Sequence, residues 1–384
     1  MINFSAPTKE LKTALSVVSL ATGDVANTIR SHTLFRINES NENVSLYATD
    51  EDKIAQSHFP LKSVEGDITE FTADPKRILL LINNSDSEEI SFSYDPEKKT
   101  LNVYASDNKK AYISFASFEP EKFLNFDLTN QELRGKINSV VFLKGVKFIQ
   151  GFLPKDDKDK KFSNLFIEEG TLYGSDGNTK IGAFKSDDFN SIPELALRRA
   201  MLPSIINFVD KTKSSEVTIK SSEKYITFSS EDDLNYFGFR QSIVGKPKLP
   251  ITTEVPDTDG FNVNCSDFSK KLNRLALSSW EDIAIDSSYG EDQILKMKTL
   301  TDRPSYENME CKRISGNNKL DFLIECAKFK NILSLFQAKN VNFYLKARKC
   351  TIYSEASIII EEKDKDPITI PFTAIALLTL ARKV

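Results

Sequence analysis

The stretch Pro75–Ile82, PKRILLLI, is followed by the alternating segment 90–93, ISFS, and this passage is the first of three. The same order of a helix-like run and a strand recurs at 202–209 with 217–220, and at 328–336 with 341–345. The first strand residues of the three passages lie 127 and 124 residues apart, so three such periods fill the 384 residues. Repetition at a fixed period is typical of like domains in a row, and three of them favour an arc or a ring.

A second pattern repeats with the same period. Residues 45–54, SLYATDEDKI, resemble residues 171–181, TLYGSDGNTKI, and Leu46 lies 126 residues before Leu172. We therefore predict three domains, with each domain containing two helices and short antiparallel strands in an α+β fold. The predicted domain ranges are 1–126, 127–254 and 255–384.

Local signals place the helices and turns. Thr8 is the predicted N-cap of the first helix, and Asp74 followed by Pro75 is a typical start for the second. Residues 95–98, DPEK, predict the turn of a hairpin over 89–104. The segments near 125–138 and 246–260 are predicted to be linkers.

Charge is unevenly distributed along the chain. Six predicted helical segments (8–19, 75–84, 141–153, 198–213, 267–277 and 326–339) hold 16 Lys or Arg against three acids. The whole chain has a net charge of −4, so the remainder is acidic. Helix surfaces favour Lys in general, but they usually mix both signs, and basic helices on an otherwise acidic protein indicate a polyanionic partner.

The sequence offers little for catalysis. It has two histidines, His32 and His58, and no phosphate loop, dinucleotide fingerprint or nucleophile elbow. Its four cysteines lack metal-ligand spacing and are predicted to be buried thiols of a reducing compartment. We predict no catalytic residue, metal or cofactor, although an enzyme with an unrecognised site is an alternative. The N-terminus lacks a signal peptide and the longest apolar stretch, 368–381, is too short to span a bilayer, so we expect a cytoplasmic protein.

Four segments carry a resemblance to a known family. They are 45–50 (SLYATD) after the first helix, 172–177 (LYGSDG), 208–228, and 321–353. In order and length the chain resembles the bacterial three-domain DNA sliding clamp, the β subunit of replicative DNA polymerase III. Identities are few and none is a sharp signature, as expected of a phage-encoded or otherwise divergent member.

The resemblance implies a head-to-tail homodimer that closes into a ring of six domains around double-stranded DNA. Helices would line the hole, and the implied partners are DNA polymerase, a clamp loader and a second copy of the chain. The implied function is a processivity factor in DNA replication. A monomeric clamp-like accessory protein of polymerase or transcription, which closes no ring, is the alternative.

A lining that holds DNA without reading it needs contacts to phosphates rather than to bases. Lysine suits this role as a mobile point charge, whereas paired Arg contacts are the usual way of reading guanine. The candidate DNA contacts on the helical segments are Lys9, Lys12, Lys76, Arg77, Lys144, Lys147, Arg198, Arg199, Lys270, Lys271, Arg274, Lys328 and Lys330. The resemblance adds two loops with Lys109, Lys110, Lys158, Lys160 and Lys161, although the second loop also fits an ordinary solvated charge run.

The resemblance also implies a hydrophobic partner-binding cleft between the second and third domains. Its matching positions here are Ser175, Asp176, Gly177, Asn178, Thr179, Lys180, Leu249, Pro250, Ile370 and Phe372, the last two from a terminal strand 368–372. Two departures stand out: the turn is polar where the family has an apolar wall, and residues 373–384 extend beyond the family's usual end. This tail is predicted to cover the cleft, to form part of it, or to pack as a terminal helix. For the subunit interface we expect Tyr112 to meet Phe268 and Leu272, with core packing as the alternative, above all for Leu272.

Overall fold

The computed structural model describes residues 1–26, 28–38, 40, 42–67, 69–105, 111–124, 126, 128, 130–156, 161–241, 246–249, 253–277, 284–346, 349–360 and 367–380. Within these ranges the chain forms six α-helices and 26 β-strands, which confirms the α+β prediction. The helices are α1 (Thr8–Val18), α2 (Pro75–Asn83), α3 (Ser139–Gln150), α4 (Leu202–Thr212), α5 (Cys265–Ala276) and α6 (Cys326–Phe336).

The strands, in chain order, are β1 (Ile2–Pro7), β2 (Thr33–Ile37), β3 (Asn43–Thr49), β4 (Lys53–Pro60), β5 (Ser63–Glu65), β6 (Glu70–Ala73), β7 (Glu89–Asp95), β8 (Thr100–Tyr104), β9 (Ile113–Ala116), β10 (Glu132–Asn138), β11 (Asn164–Glu168), β12 (Thr171–Ser175), β13 (Lys180–Lys185), β14 (Leu195–Arg198), β15 (Glu216–Ser221), β16 (Tyr225–Ser230), β17 (Tyr236–Arg240), β18 (Asp259–Asn264), β19 (Ala284–Tyr289), β20 (Ile294–Thr299), β21 (Tyr306–Glu310), β22 (Lys312–Ser315), β23 (Leu320–Glu325), β24 (Asn340–Lys346), β25 (Lys349–Ile360) and β26 (Ile368–Thr379).

The helix starts follow local chemistry. The Asp74 carboxylate accepts hydrogen bonds from the backbone N–H groups of Lys76 and Arg77, at 3.0 and 3.2 Å, so the predicted cap of α2 is confirmed. The predicted Thr8 cap of α1 is wrong. Pro7 is the N-cap there, and the Thr8 hydroxyl instead donates to the Ser87 carbonyl at 2.6 Å, because it is buried against the start of β7.

One compact unit comprises residues 1–139 and 203–243. It contains a five-stranded antiparallel sheet in the order β5-β1-β7-β8-β9 and an eight-stranded sheet in the order β10-β15-β16-β17-β4-β3-β2-β6. The predicted hairpin over 89–104 is confirmed as β7 and β8. The predicted linker near 125–138 is wrong from residue 132 onward, since β10 pairs with β15 at the edge of the eight-stranded sheet.

The other unit comprises residues 140–202 and 244–384. It contains a nine-stranded sheet in the order β14-β11-β12-β13-β26-β25-β24-β18-β22 and a four-stranded sheet in the order β21-β20-β19-β23. The described part of the tail, up to Leu380, is not a helix. Residues 373–379 continue β26, which pairs with β13 on one side and β25 on the other.

The two larger sheets each join strands from distant parts of the chain. β4 pairs with β17 through Lys53↔Phe239 and its neighbours, and β13 pairs with β26 through Lys180↔Leu378 to Lys185↔Thr373. Each unit thus takes strands from two of the predicted domains, because the sheets cross both predicted boundaries. The division into three domains stays a prediction.

The end of α3 and the turn that follows it (residues 151–153) pack closely on the nine-stranded sheet because glycines of β12 and β13 face them. A Cβ on Gly182 would lie 2.3 Å from a Phe152 ring carbon, and a Cβ on Gly174 would lie 2.6 Å from a Leu153 methyl carbon. The opposite face of the same sheet carries a buried cluster that includes Phe166, Tyr173 and Ile375. At these strands, buried side chains therefore lie on both faces of the sheet.

Candidate DNA-facing helices and partner surface

Four candidate lysines lie on the solvent side of their helices, opposite the buried faces, without an ion pair to any residue that the structure describes. Lys9 and Lys270 are exposed, while Lys12 and Lys330 are half-buried. On α1 the buried residues include Leu11, Leu15 and Val18, and on α5 they include Phe268, Leu272 and Leu275. This placement leaves their charges available to a polyanion.

The remaining candidates on α2 and α5 have carboxylate partners. Lys76 bonds to Asp24 at 3.2 Å, and Arg77 lies 3.5 Å from Asp74. On α5, Arg274 bonds to Glu307 of β21 at 2.6 Å, and Lys271 lies 3.9 Å from the same carboxylate. Such pairs between partly exposed groups are weak, so they reduce but do not remove the positive potential of these helices.

Lys144 differs from the other candidates on the helices. Its ammonium group lies 4.3 Å from the centre of the Phe372 ring, and the side chain is half-buried. Burial lowers the pKa of Lys144. Lys147, one turn later on α3, is exposed. Lys147 is therefore the better placed of the two for a phosphate contact.

Other candidates lie away from helix surfaces or outside the described residues. Arg198 ends β14, and Arg199 begins a short 3₁₀ turn before α4; both are half-buried. Lys161 is exposed before β11. Lys109, Lys110, Lys158 and Lys160 lie outside the residues that the structure describes.

Lys328 belongs to α6 but points toward the sheet. Its ammonium group donates to the Thr379 carbonyl at 3.3 Å and lies 3.9 Å from Glu325, and only 14% of its side chain is exposed. The ammonium group thus caps the end of β26 and does not lie on the solvent-exposed face of α6.

The turn between β12 and β13 is held by its own side chains. One oxygen of Asp176 accepts the backbone N–H groups of Asn178, Thr179 and Lys180, at 3.0, 2.8 and 3.0 Å. Its other oxygen accepts the Thr179 hydroxyl at 2.9 Å. Gly177 has a φ of +79°, and a Cβ there would meet the Phe162 ring at 2.6 Å, so this position requires glycine.

The structure does not bring all predicted cleft residues together. Lys180 pairs with Leu378, whereas Phe372 lies six residues earlier on β26, about 20 Å away along the strand. Ile370 lies two residues further still and is half-buried. The predicted terminal-strand contribution is therefore wrong in register: Leu378 and Thr379 lie at the turn, and the Thr379 N–H donates to the Thr179 carbonyl at 3.0 Å.

Phe372 and Leu249 also lie on opposite faces of the sheet. Phe372 is buried and stacks on Phe184 at 4.9 Å, on the face that α3 covers. Leu249 packs against the cluster containing Tyr173 and Ala183 on the other face, because neighbouring strand residues point to opposite sides. Pro250 lies outside the described residues.

The sequence contained a signal for the true register of β26. Alternating and apolar residues run from 368 to 380, much further than Pro371. Pro371 sits opposite Ser357, in the part of β26 that pairs only with β25, where a missing N–H is tolerated. The prediction treated the residues around Pro371 as the end of the strand, and it therefore placed Ile370 and Phe372, instead of Leu378 and Thr379, at the turn.

The predicted subunit contacts divide between surface and core. Tyr112 is 54% exposed beside β9, the outer strand of the five-stranded sheet. Phe268 and Leu272 are 1% and 0% exposed, and the Phe268 ring meets that of Phe343 edge-on at 5.7 Å. Core packing therefore accounts for both side chains, which offer no surface to a second subunit. The exposed aromatic on the four-stranded sheet is instead Tyr306, at 67% on the edge strand β21.

Among the described residues, no group of His, Cys, Asp and Glu side chains is arranged to hold a metal ion. The described helices also include none long and apolar enough to cross a membrane.

Solved structures similar to this one cover the whole chain. The β subunit of DNA polymerase III from Thermotoga maritima matches with a TM-score of 0.79 at 13% identity, over 100% of both chains. The chain has the sliding-clamp fold. The DNA polymerase sliding clamp from Bacillus subtilis matches it with a TM-score of 0.77 at 12% identity, again over 100% of both chains. The β subunit from Pseudomonas aeruginosa matches at 0.78 and 14% identity, over 99% of this chain and 100% of the other.

The sliding-clamp fold is thus present at 12–14% identity to these structures. No family model matches the chain, and no curated protein sequence matches it. The fold is retained because packing needs apolar residues of suitable size in the right pattern rather than particular identities.

Proposed function

We propose that this protein is a DNA sliding clamp, a non-enzymatic tether that encircles duplex DNA and holds a polymerase on it. The observation that carries the proposal is the full-length match to the sliding-clamp fold. The four lysines Lys9, Lys12, Lys270 and Lys330 support it, since they stand on the solvent side of helices that the proposal assigns to the hole.

Two incomplete sheets support closure of the ring by a second copy. The joined sheets have eight and nine strands, whereas the other two have five and four. Within the described chain, each of the two smaller sheets has two outer strands without a further neighbour, β5 and β9 in one and β21 and β23 in the other. An exposed strand edge is a template for pairing, and joining β9 of one subunit to β21 of the next would complete a nine-stranded sheet.

Charged side chains lie at or near both edges, although most of them already have a partner within the chain. Lys99 and Lys122 flank β9, although both bond to Glu119. Glu307 and Glu310 lie on β21. Two such contacts would close a head-to-tail dimer, because each chain offers one edge of each kind.

Electrostatic contact alone would hold DNA weakly. Binding of this kind has dissociation constants of roughly 10⁻⁴–10⁻⁶ M and permits sliding. Retention on DNA then comes from ring closure rather than from affinity. A polymerase and a clamp loader are the proposed protein partners.

The decisive experiment uses nicked circular DNA. The protein is loaded on the circle, with a loader if needed, and the circle is then linearised. A topologically linked ring should slide off the ends within minutes and stay on the intact circle. A retained fraction that is the same on both forms and depends only on salt would contradict the proposal. One chain per particle in light scattering would indicate the monomeric accessory protein instead.

The lining assignment is tested separately. We expect the variant with Lys9, Lys12, Lys270 and Lys330 changed to Glu to lose duplex binding and polymerase processivity while remaining a dimer. The matched control changes four exposed lysines at strand ends to Glu: Lys224, Lys312, Lys346 and Lys349. Equal losses in both quadruple variants would show that net charge, and not the helix lysines, determines DNA binding.

A further inference from the structure

A cavity of about 570 Å³ lies between helix α3, the end of helix α6 and strand β25. This volume is within the range of cavities that bind small molecules. The two helices touch beside it, since the Phe148 ring meets the Phe336 ring edge-on at 5.2 Å. The apolar side chains that border the cavity are Val140, Leu143, Phe148, Leu335, Ile358 and Ile359.

Several of these apolar side chains are exposed to water. Val140, at the start of α3, is 47% exposed, and Ile359 of β25 is 64% exposed. Leu143 and Leu335 are half-buried. Exposed apolar side chains that cluster at one cavity are typical of ligand-binding surfaces, because binding removes their area from water.

Lys144 brings a positive charge to this apolar surface. Its ammonium group lies 4.3 Å from the centre of the Phe372 ring, and no carboxylate of the described residues lies within 4 Å of it. Burial lowers the pKa of Lys144, because partial removal from water disfavours the charged form. An anionic group bound beside Lys144 would offset this cost. Lys147 also borders the cavity but is exposed.

We propose that this cavity binds a small amphiphile with one carboxylate group and an apolar body, of the size of a medium-chain fatty acid. Lys144 holds the carboxylate by a charge-assisted hydrogen bond, and the apolar body lies against Leu143 and Leu335. The exposed Ser357 hydroxyl borders the same cavity and can donate a second hydrogen bond.

A small molecule fits the cavity better than a polymer does. The apolar walls offer no hydrogen bonds to the phosphates of a DNA backbone. Within the described chain, β24 pairs with β25 no further than Tyr353, so a strand edge is open beyond it. Only Ser357, Ile358 and Ile359 of that edge border the cavity, and three residues give an added peptide strand few backbone hydrogen bonds.

The probe is sodium decanoate, kept below its micelle-forming concentration and titrated into the full-length protein in a calorimeter. We expect one molecule to bind per chain. Lys144→Met keeps the apolar stem but removes the charge, so it should bind decanoate at least tenfold more weakly. Ile359→Ser removes part of the apolar wall at an exposed position and should weaken binding about threefold.

Two controls separate the site from general effects of charge and apolar surface. Lys185→Met makes the same change at an exposed lysine of β13 outside this cavity, and it should bind decanoate as the wild type does. Decyltrimethylammonium has the same apolar chain with the opposite charge, and it should bind the wild type at least tenfold more weakly than decanoate. If Lys144→Met melts early, Lys144→Gln replaces it with the same expected loss.

Several results would overturn the inference. These are no binding of decanoate, equal affinity in the wild type and Lys144→Met, equal affinity for the cationic amphiphile, or binding of many molecules per chain. A peptide of alternating Asp and Leu, or a 20-base-pair duplex, is added as a competitor. Displacement of decanoate at a tenfold lower concentration of either one would assign the cavity to that polymer instead.

The inference does not rest on the proposed function, because it concerns a ligand other than DNA or a tethered protein. Release of the wild-type protein from linearised circles decides whether it is a sliding clamp. Decanoate titration of the free protein decides only what the cavity binds, so either result can fail while the other stands.

Discussion

The two larger sheets and the two smaller sheets of this molecule differ in how their strands are drawn from the chain. In the eight- and nine-stranded sheets, β4 meets β17 and β13 meets β26, so strands from distant segments complete one another within the chain. In the five- and four-stranded sheets, β9 and β21 end without a neighbour among the described strands. The larger sheets are thus joined from distant segments, whereas each smaller sheet is built from one stretch of chain, residues 2–116 or 284–325.

This difference indicates which strands should contribute to association between subunits. The pairings of β4 with β17 and of β13 with β26, here called seams, satisfy their backbone hydrogen bonds inside one chain. Their stability therefore does not depend on protein concentration. An open edge leaves N–H and C=O groups that only water or another chain can satisfy. Changes at the seams should therefore alter unfolding, and changes at the edges should alter assembly.

The largest effect is expected at the open edges. Changing Ile113 and Ser114 of β9 to Glu should place like charges opposite Glu307 and Glu310 of the next subunit and convert the dimer to monomer. Light scattering at micromolar concentration measures this change. Adding Glu310→Lys to the same chain should restore part of the dimer. A dimer that persists in the double variant would mean that β9 does not form the interface.

A smaller effect is expected at the β13–β26 seam. Gly182→Ala introduces a Cβ that would lie 2.3 Å from the Phe152 ring, so the ring or the strand must shift. Overpacking of this kind costs about 1–3 kcal/mol of unfolding free energy. Urea denaturation provides the measurement, with Gly290→Ala as control, because the nearest atom to a Cβ there is 3.7 Å away. Equal urea midpoints for the two variants would show that the Phe152 ring, which follows α3, does not press on β13 at Gly182.

The smallest effect is expected beside β9. Lys122 and Lys99 bond to Glu119, at 2.7 and 2.6 Å, and together lower the pKa of Glu119 to about 2. Because the folded pKa lies below the usual value of 4.5, the stabilisation is present above pH 4.5 and is lost as the pH falls toward 2. The difference in melting temperature between wild type and Glu119→Gln should therefore shrink over this window. An NMR titration of Glu119 with its midpoint near 4.5 would contradict the assignment.

Much of the fold was predictable where the signal is local. Asp74 before Pro75 fixed the start of α2, and residues 95–98 fixed the β7–β8 turn, because both depend on residues within a few positions. The similar segments 45–54 and 171–181 both fall on antiparallel hairpins, β3 with β4 and β12 with β13.

The candidate site was predictable only in part. Lys9 and Lys270 lie on solvent-facing helix surfaces, because the helix period relates their positions to the face opposite the buried residues. The turn 175–180 was also identified, although its partner residues on β26 were misplaced by six positions. Strand register between segments some 200 residues apart depends on which side chains fill the space between them, and no local pattern encodes it.

The sequence by itself determined the repeat, the helices and the polar turn, because hydrophobic period, capping and turn chemistry act over a few residues. Only the tertiary structure decided that β4 joins β17, that β26 brings Thr379 to the turn, and that Lys328 leaves its helix face for a strand end. Those arrangements arise from long-range packing and from backbone groups that must find partners when buried, so they exist only once the whole sheet has formed.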